Sequence, residues 1–204
     1  EECGSTHPAD LQRAVVAAKA DAGLAFDGDG DRVVVVASDG SLLDGDHLLA
    51  VCALDRFHRG ALPGSTVVVT PMANLGLRRG LATQGITTHE VPVGDRHILE
   101  AMDFGGWVLG GEQSGHIVFG DLATTGDGIL TGIQVLDAAR RAGRSLGDLA
   151  AELVERVPQV LLSVRVNRPG DEVVAEVSDD VVVARMELGD GGRVLVRPSG
   201  TEPV

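Results

Sequence analysis

The sequence predicts an α/β protein, a mixed or parallel sheet with crossover helices followed by a smaller, partial α+β domain. Two observations predict it. In the middle of the chain, short apolar runs such as Val67-Val68-Val69 alternate with stretches of helical period that end at glycine. Near Arg156-Val157-Pro158 the pattern changes, and Val160, Leu162, Val164 and Val166 alternate with Leu161, Ser163 and Arg165. That is the signature of a strand with one wet face, so a domain boundary is placed close to Arg156.

Taken in order, Pro8 followed by Leu11, Val15 and Ala18 predicts an amphipathic helix over residues 9–22, stopped by Gly23. Leu24-Ala25-Phe26 reads as a short strand and residues 33–37 as a strand buried on both faces. Asp46 is expected to cap a helix over residues 47–58. Strand 66–70, helix 74–84 stopped by Gly85, and strand 87–91 follow. Asp95 is expected to cap another helix, and residues 107–109 and 117–119 to form strands. Gly126-Asp127-Gly128 opens a long helix ending near Gly143, and Ser145-Leu146-Gly147-Asp148 is a capping box for the next. Beyond the boundary a helix is expected over residues 179–188 and a strand at Val194-Leu195-Val196.

Composition narrows the function classes. The 204 residues hold 17 Lys and Arg against 30 Asp and Glu, a formal net charge of −13. This balance argues against nucleic acid or an anionic membrane as partner. Aromatic residues make up only 2%, with no Tyr, which removes the stacking platforms of single-strand binders. Cys3 and Cys52 are the only cysteines, too few for a disulfide framework or a Cys-rich zinc site. With no long apolar run and no secretory pattern at the start, a soluble, cytoplasmic protein is the expectation.

Three loops carry chemistry. In Asp27-Gly28-Asp29-Gly30-Asp31-Arg32, three carboxylates at alternate positions are unfavourable unless a cation neutralises them. Hard divalent ions take oxygen ligands, and Mg2+ uses a few carboxylates while keeping positions for water and phosphate. A solvated Asp/Gly turn is the bland alternative. Gly110-Gly111-Glu112-Gln113-Ser114-Gly115-His116 exposes a carboxylate, an amide, a hydroxyl and an imidazole between small residues. Such a set suits a polyhydroxylated ligand, whose hydroxyls both donate and accept. Arg197-Pro198-Ser199-Gly200-Thr201-Glu202-Pro203 combines a fork donor, two hydroxyls and backbone N–H groups around a glycine, which suits a phosphate dianion. A calcium module of the EF-hand type is disfavoured. Its sixth and twelfth loop positions call for Gly and Glu, whereas this chain has Arg32 and Ser38 there.

Metal loop, sugar-type loop and phosphate loop, in that order, resemble the α-D-phosphohexomutase family along the whole chain. Cys3-Gly4-Ser5-Thr6-His7-Pro8, Val93-Gly94-Asp95-Arg96 and Thr124-Thr125-Gly126-Asp127-Gly128 add to the likeness, and Gln113 is most like the hexosamine branch. The resemblance implies an isomerase that interconverts glucosamine 6-phosphate and glucosamine 1-phosphate on the route to UDP-N-acetylglucosamine. A sister enzyme of mannose or glucose phosphates is the alternative.

By this resemblance Asp27, Asp29 and Asp31 would hold Mg2+, and Arg32 would neutralise phosphate oxygens beside it. Glu112 and Ser114 would grip the sugar, while Arg197, Ser199, Gly200 and Thr201 would grip the phosphate that is not transferred. His116 is assigned to acid/base duty. The expected partners are a hexosamine phosphate and the remainder of the same polypeptide, because nothing here resembles the family's phosphoserine loop. Residues 1–41 would then end the second family domain, 42–155 form the third and 156–204 begin the fourth.

Overall fold

The structure, a computed structural model, describes residues 4–198. Contacts divide the chain into a unit of Glu1–Val157 and a unit of Pro158–Val204.

The first unit opens with α1 (Ala9–Ala18), shorter than the expected 9–22. Lys19 turns left-handed (φ 53°) and its N–H closes the helix onto Val15 and Val16. Ala22 instead starts a strand, β1 (Ala22–Phe26), in which Ala22 and Gly23 pair with Ala37 and Val36 of β2 (Val33–Ala37). β3 (Leu42–Leu43), which the sequence pattern did not predict, pairs antiparallel with β2, giving the order β1-β2-β3. A tight turn makes that direction obligatory: Ser41 donates to the Asp39 carboxylate through its N–H at 2.9 Å and its hydroxyl at 2.6 Å.

α2 (Gly45–His58) starts earlier than expected, with Asp44 and not Asp46 at the N-cap. Asp46 is instead turned inward at 1% exposure. The second sheet comprises β4 (Thr66–Val69), β5 (Thr87–Glu90), β6 (Leu109–Gly111) and β7 (Ile117–Phe119) in the order β5-β4-β6-β7. β4 runs parallel to β5 and β6, and β7 runs antiparallel to β6. Strand β6 lies later than the expected 107–109, because Gly110 and Gly111 pair with Val68 and Val69 and carry the ladder into the glycines.

α3 (Leu75–Thr83) and α4 (Asp95–Gly105) are the crossovers. Asp95 is the first residue of α4 and Gly94 its cap, contrary to the expectation that Asp95 caps. Asn74 caps α3 by accepting from the Gly76 N–H. α5 (Gly128–Ala142) and α6 (Leu146–Leu153) are capped by the Asp127 and Ser145 side chains.

Helices cover both faces of this sheet. Val67 and Val69 join a cluster with Leu48, Leu77, Leu81, Leu149 and Leu153, while Val68 joins Ile98, Met102 and Val118 on the other side. All three β4 valines are fully buried, which is why this strand reads as a continuous apolar run. The inner cluster also takes in Val33 and Val35 of β2, so both sheets of the unit share one core. Among the described residues, no helix is long and apolar enough to cross a membrane.

The second unit holds α7 (Gly170–Glu176), not predicted, and α8 (Ser178–Leu188), which meets the helix expected at 179–188. The strands expected at residues 160–166 and 194–196 form no ladder among the described residues. Alternation specifies a face, but a strand also needs a hydrogen-bonded neighbour and something to bury that face against. Here Val160, Leu162 and Val164 are 81, 80 and 68% exposed.

Candidate metal and sugar site

The acidic loop spans the gap between β1 and β2, so two paired strands fix its ends. Ligand oxygens of Asp27, Asp29 and Asp31 lie within 4.8 Å of one another, with Asp29 exposed and the other two half-buried. The flanks are strands, which removes the helix-loop-helix frame of a calcium hand. Arg32 sits against the cluster, its Nε 3.7 Å from Asp27 Oδ2 and 3.7 Å from Asp31 Oδ1. Its backbone N–H donates to Asp27 Oδ1 at 3.2 Å.

Electrostatics separates the two half-buried carboxyls. Burial opposes ionisation of Asp27, but the Arg32 N–H, the neighbouring Asp31 and the Arg32 charge together hold its pKa below the usual value. Burial and then the adjacent Asp27 push Asp31 up, with His116 opposing. The donor set is hard oxygen throughout and strongly repelling. Its spread is close to the roughly 4 Å across an octahedral ion with bonds of about 2.1 Å. Asp31 Oδ1 is buried with no hydrogen-bond partner among the described residues. These residues fit a small divalent cation.

The sugar-type loop is built onto the metal loop. Arg32 and His116 form a backbone bridge, Val33 N–H donates to Gly115 O at 3.2 Å, and Gly128 N–H donates to Gly30 O at 2.9 Å. Gly115 allows the approach. It adopts φ +93°, and a Cβ there would stand 2.1 Å from Val33 O. The His116 ring is buried and its Nδ1 lies 3.0 Å from Asp31 Oδ2. Gly126 makes room for that ring, since an added Cβ would come within 2.4 Å of it.

Glu112 and Ser114 share a turn closed by Gly115 N–H donating to Glu112 O at 3.0 Å. Glu112 Oε1 accepts from the Gly94 N–H at 3.3 Å and Oε2 from the Ser114 hydroxyl at 3.4 Å. These long contacts leave a carboxylate oriented by weak donors that a ligand hydroxyl can replace. Gln113 faces away toward α2: its O accepts from the Gly45 N–H at 2.9 Å and its Nε2 donates to Asp44 Oδ2 at 3.4 Å. Asp44 also meets His47 Nδ1 at 2.7 Å and Arg156 Nη2 at 3.6 Å. Despite its burial, the His47 hydrogen bond and charge hold its pKa low.

The structure thus brings Asp27, Asp29, Asp31, Arg32 and His116 together and sets Glu112 and Ser114 on the adjoining loop. Arg197 belongs to the second unit, is exposed, and donates from Nη1 to Pro198 O at 3.4 Å. Ser199, Gly200 and Thr201 lie outside the described residues.

The family model of the phosphoglucomutase/phosphomannomutase alpha/beta/alpha domain III matches residues 44–157, and that of the C-terminal domain matches residues 161–204. The chain belongs to the phosphoglucomutase/phosphomannomutase family. Curated relatives in this family include the phosphoglucosamine mutases of Frankia alni, 52% identical over 98% of the chain and 44% of the relative, and of Thermobifida fusca, 51% identical over 100% and 45%. The chain spans a little under half the length of the curated relatives it matches. Among solved structures, a phosphoglucomutase/phosphomannomutase family protein from Burkholderia thailandensis aligns with TM-score 0.65 and 26% identity over 77% of this chain and 33% of its own. The N-acetylphosphoglucosamine mutase of Aspergillus fumigatus shares the fold, with TM-score 0.75 at 22% identity over 100% and 47%.

Sequence reasoning missed the supports of this family site. Asp44 ties the sugar loop to α2 and to Arg156, and the Gly94 amide orients Glu112. Gly126-Asp127-Gly128, a helix start and part of a family-like motif in the sequence, also packs His116 and binds the metal loop.

Proposed function

We propose that this chain supplies the metal and sugar loops of a phosphoglucosamine mutase, interconverting glucosamine 6-phosphate and glucosamine 1-phosphate as part of a longer polypeptide. The observation that carries the reading is the aspartate cluster joined by the Arg32–His116 bridge to the Glu112–Ser114 turn. The relatives above, about half identical and named for this activity, support it. Asp27, Asp29 and Asp31 would hold Mg2+. When bound, the ion neutralises charge on a transferring phosphoryl group. Arg32, half-exposed beside the cluster, adds a guanidinium to phosphate oxygens. Glu112 and Ser114 fix sugar hydroxyls, and Arg197, Ser199, Gly200 and Thr201 would receive the other phosphate. The phosphoserine comes from the remainder of the polypeptide, and a cytoplasmic setting accords with Cys52 as a buried free thiol.

Three measurements test this. Asp29→Asn is expected to abolish Mg2+ binding by the chain in calorimetry, and unchanged affinity would sink the metal assignment. A coupled assay of the longer polypeptide should favour glucosamine phosphate over mannose and glucose phosphates, whereas the reverse order selects the sister activity. The 204-residue chain alone is expected to show no turnover, and metal-dependent turnover by it would overturn the shared-site reading.

A further inference from the structure

We infer that His116 is a positioning residue for the metal loop, holding Asp31 in place through Nδ1, and not the group that exchanges protons with the sugar. The inference deepens the metal reading above and rests on it. A carboxylate only accepts, so in the contact between Nδ1 and Asp31 Oδ2 at 3.0 Å the ring is the donor. The other ring nitrogen is Nε2. That nitrogen is buried and has no hydrogen-bond partner among the described residues. It abuts Gly126, where a Cβ would come within 2.4 Å of Nε2. A proton shuttle must reach the reacting hydroxyl directly or through one water, and the ring is sealed on that side.

The other end of the contact has the opposite character. With Oδ2 engaged by His116, Asp31 presents Oδ1, which is buried, has no hydrogen-bond partner among the described residues and meets the Arg32 guanidinium only at 3.7 Å. An unsatisfied buried acceptor is unfavourable, and a cation held with Asp27 and Asp29 relieves it. Partners of this kind fix the orientation of metal-binding carboxylates, and their loss commonly weakens metal affinity about 10–100-fold. The backbone bridge between Arg32 and His116 sets the ring beside Asp31. Sequence could not show this pairing, since 85 residues separate the partners.

Calorimetry of Mg2+ binding by the chain, together with turnover of the longer polypeptide, tests the inference. His116→Ala is expected to weaken Mg2+ binding about tenfold or more. His116→Asn, whose amide N–H falls near the Nδ1 position, should stay within about threefold of the parent in both Mg2+ affinity and kcat. Should His116→Ala fail to fold, His116→Gln replaces it, with its amide nearer the Nε2 position and the same loss expected. Unchanged Mg2+ affinity in the Ala or Gln variant overturns the inference. So does a His116→Asn protein that binds Mg2+ like the parent but loses about 100-fold or more in kcat, because that result identifies a proton-transfer group. A parent chain that binds Mg2+ no better than Asp29→Asn refutes the metal reading itself, and the inference falls with it.

Discussion

The two units of the chain treat their functional loops in opposite ways. In the first, the metal and sugar loops hang from paired strands and are tied together by backbone hydrogen bonds over a shared core. In the second, the described residues bury no hydrophobic side chain, and α7 and α8 have no buried residues. Among the described residues, Arg197 donates to its neighbour Pro198 O at 3.4 Å. The difference teaches that preorganisation here is a property of core contact. A loop that hangs from core strands is positioned by the packing beneath it, and the described residues around Arg197 offer no such packing.

The largest effect is expected at the seam of the two loops in the first unit. Gly115→Ala places a Cβ 2.1 Å from Val33 O at a residue with φ +93°. Strain from the left-handed backbone adds to overpacking between strands, for an expected loss of about 4 kcal/mol in urea unfolding. A loss under about 1 kcal/mol would show that the loops are not locked together.

Next in size is Asp46. Its carboxyl, 1% exposed, accepts from the Asn74 N–H at 2.8 Å through Oδ2, while Oδ1 has no partner among the described residues. Burial raises its pKa from 3.8 to about 6. A carboxyl raised on folding favours the native state below the unfolded pKa, and that contribution is lost as pH climbs through the folded one. The stability difference between Asp46→Asn and the parent should therefore move by about 2.4 kcal/mol in the variant's favour between pH 4 and pH 8. Urea midpoints at the two pH values measure it. A constant difference would show that Asp46 stays ionised and solvated.

How much of this was legible depended on whether the deciding interaction was local. The acidic loop could be read because three carboxylates within five residues demand neutralisation wherever the chain goes. The β4 valines could be read because burial on both faces leaves no polar position. The Asp31–His116 and Asp44–Gln113 contacts were not legible, since each joins residues 69 or more apart and depends on how two loops dock. The β2–β3 hairpin was missed because a two-residue strand carries no periodicity. The alternating run after Pro158 misled for a related reason: periodicity names a face without naming its partner.

The smallest effect is the one that completes the contrast. Leu162 looks like a core residue by its place in that alternating run, yet it is 80% exposed. Leu162→Ser is therefore expected to change the stability of the chain by less than about 0.5 kcal/mol, as exposed substitutions do. A buried leucine such as Leu77, fully enclosed in the first unit, would cost about 2–5 kcal/mol on truncation to Ala. Urea unfolding of Leu162→Ser, followed through the single Trp107 of the first unit, gives the comparison directly. A loss approaching the Leu77 value would mean that residues 160–166 do bury a face in solution.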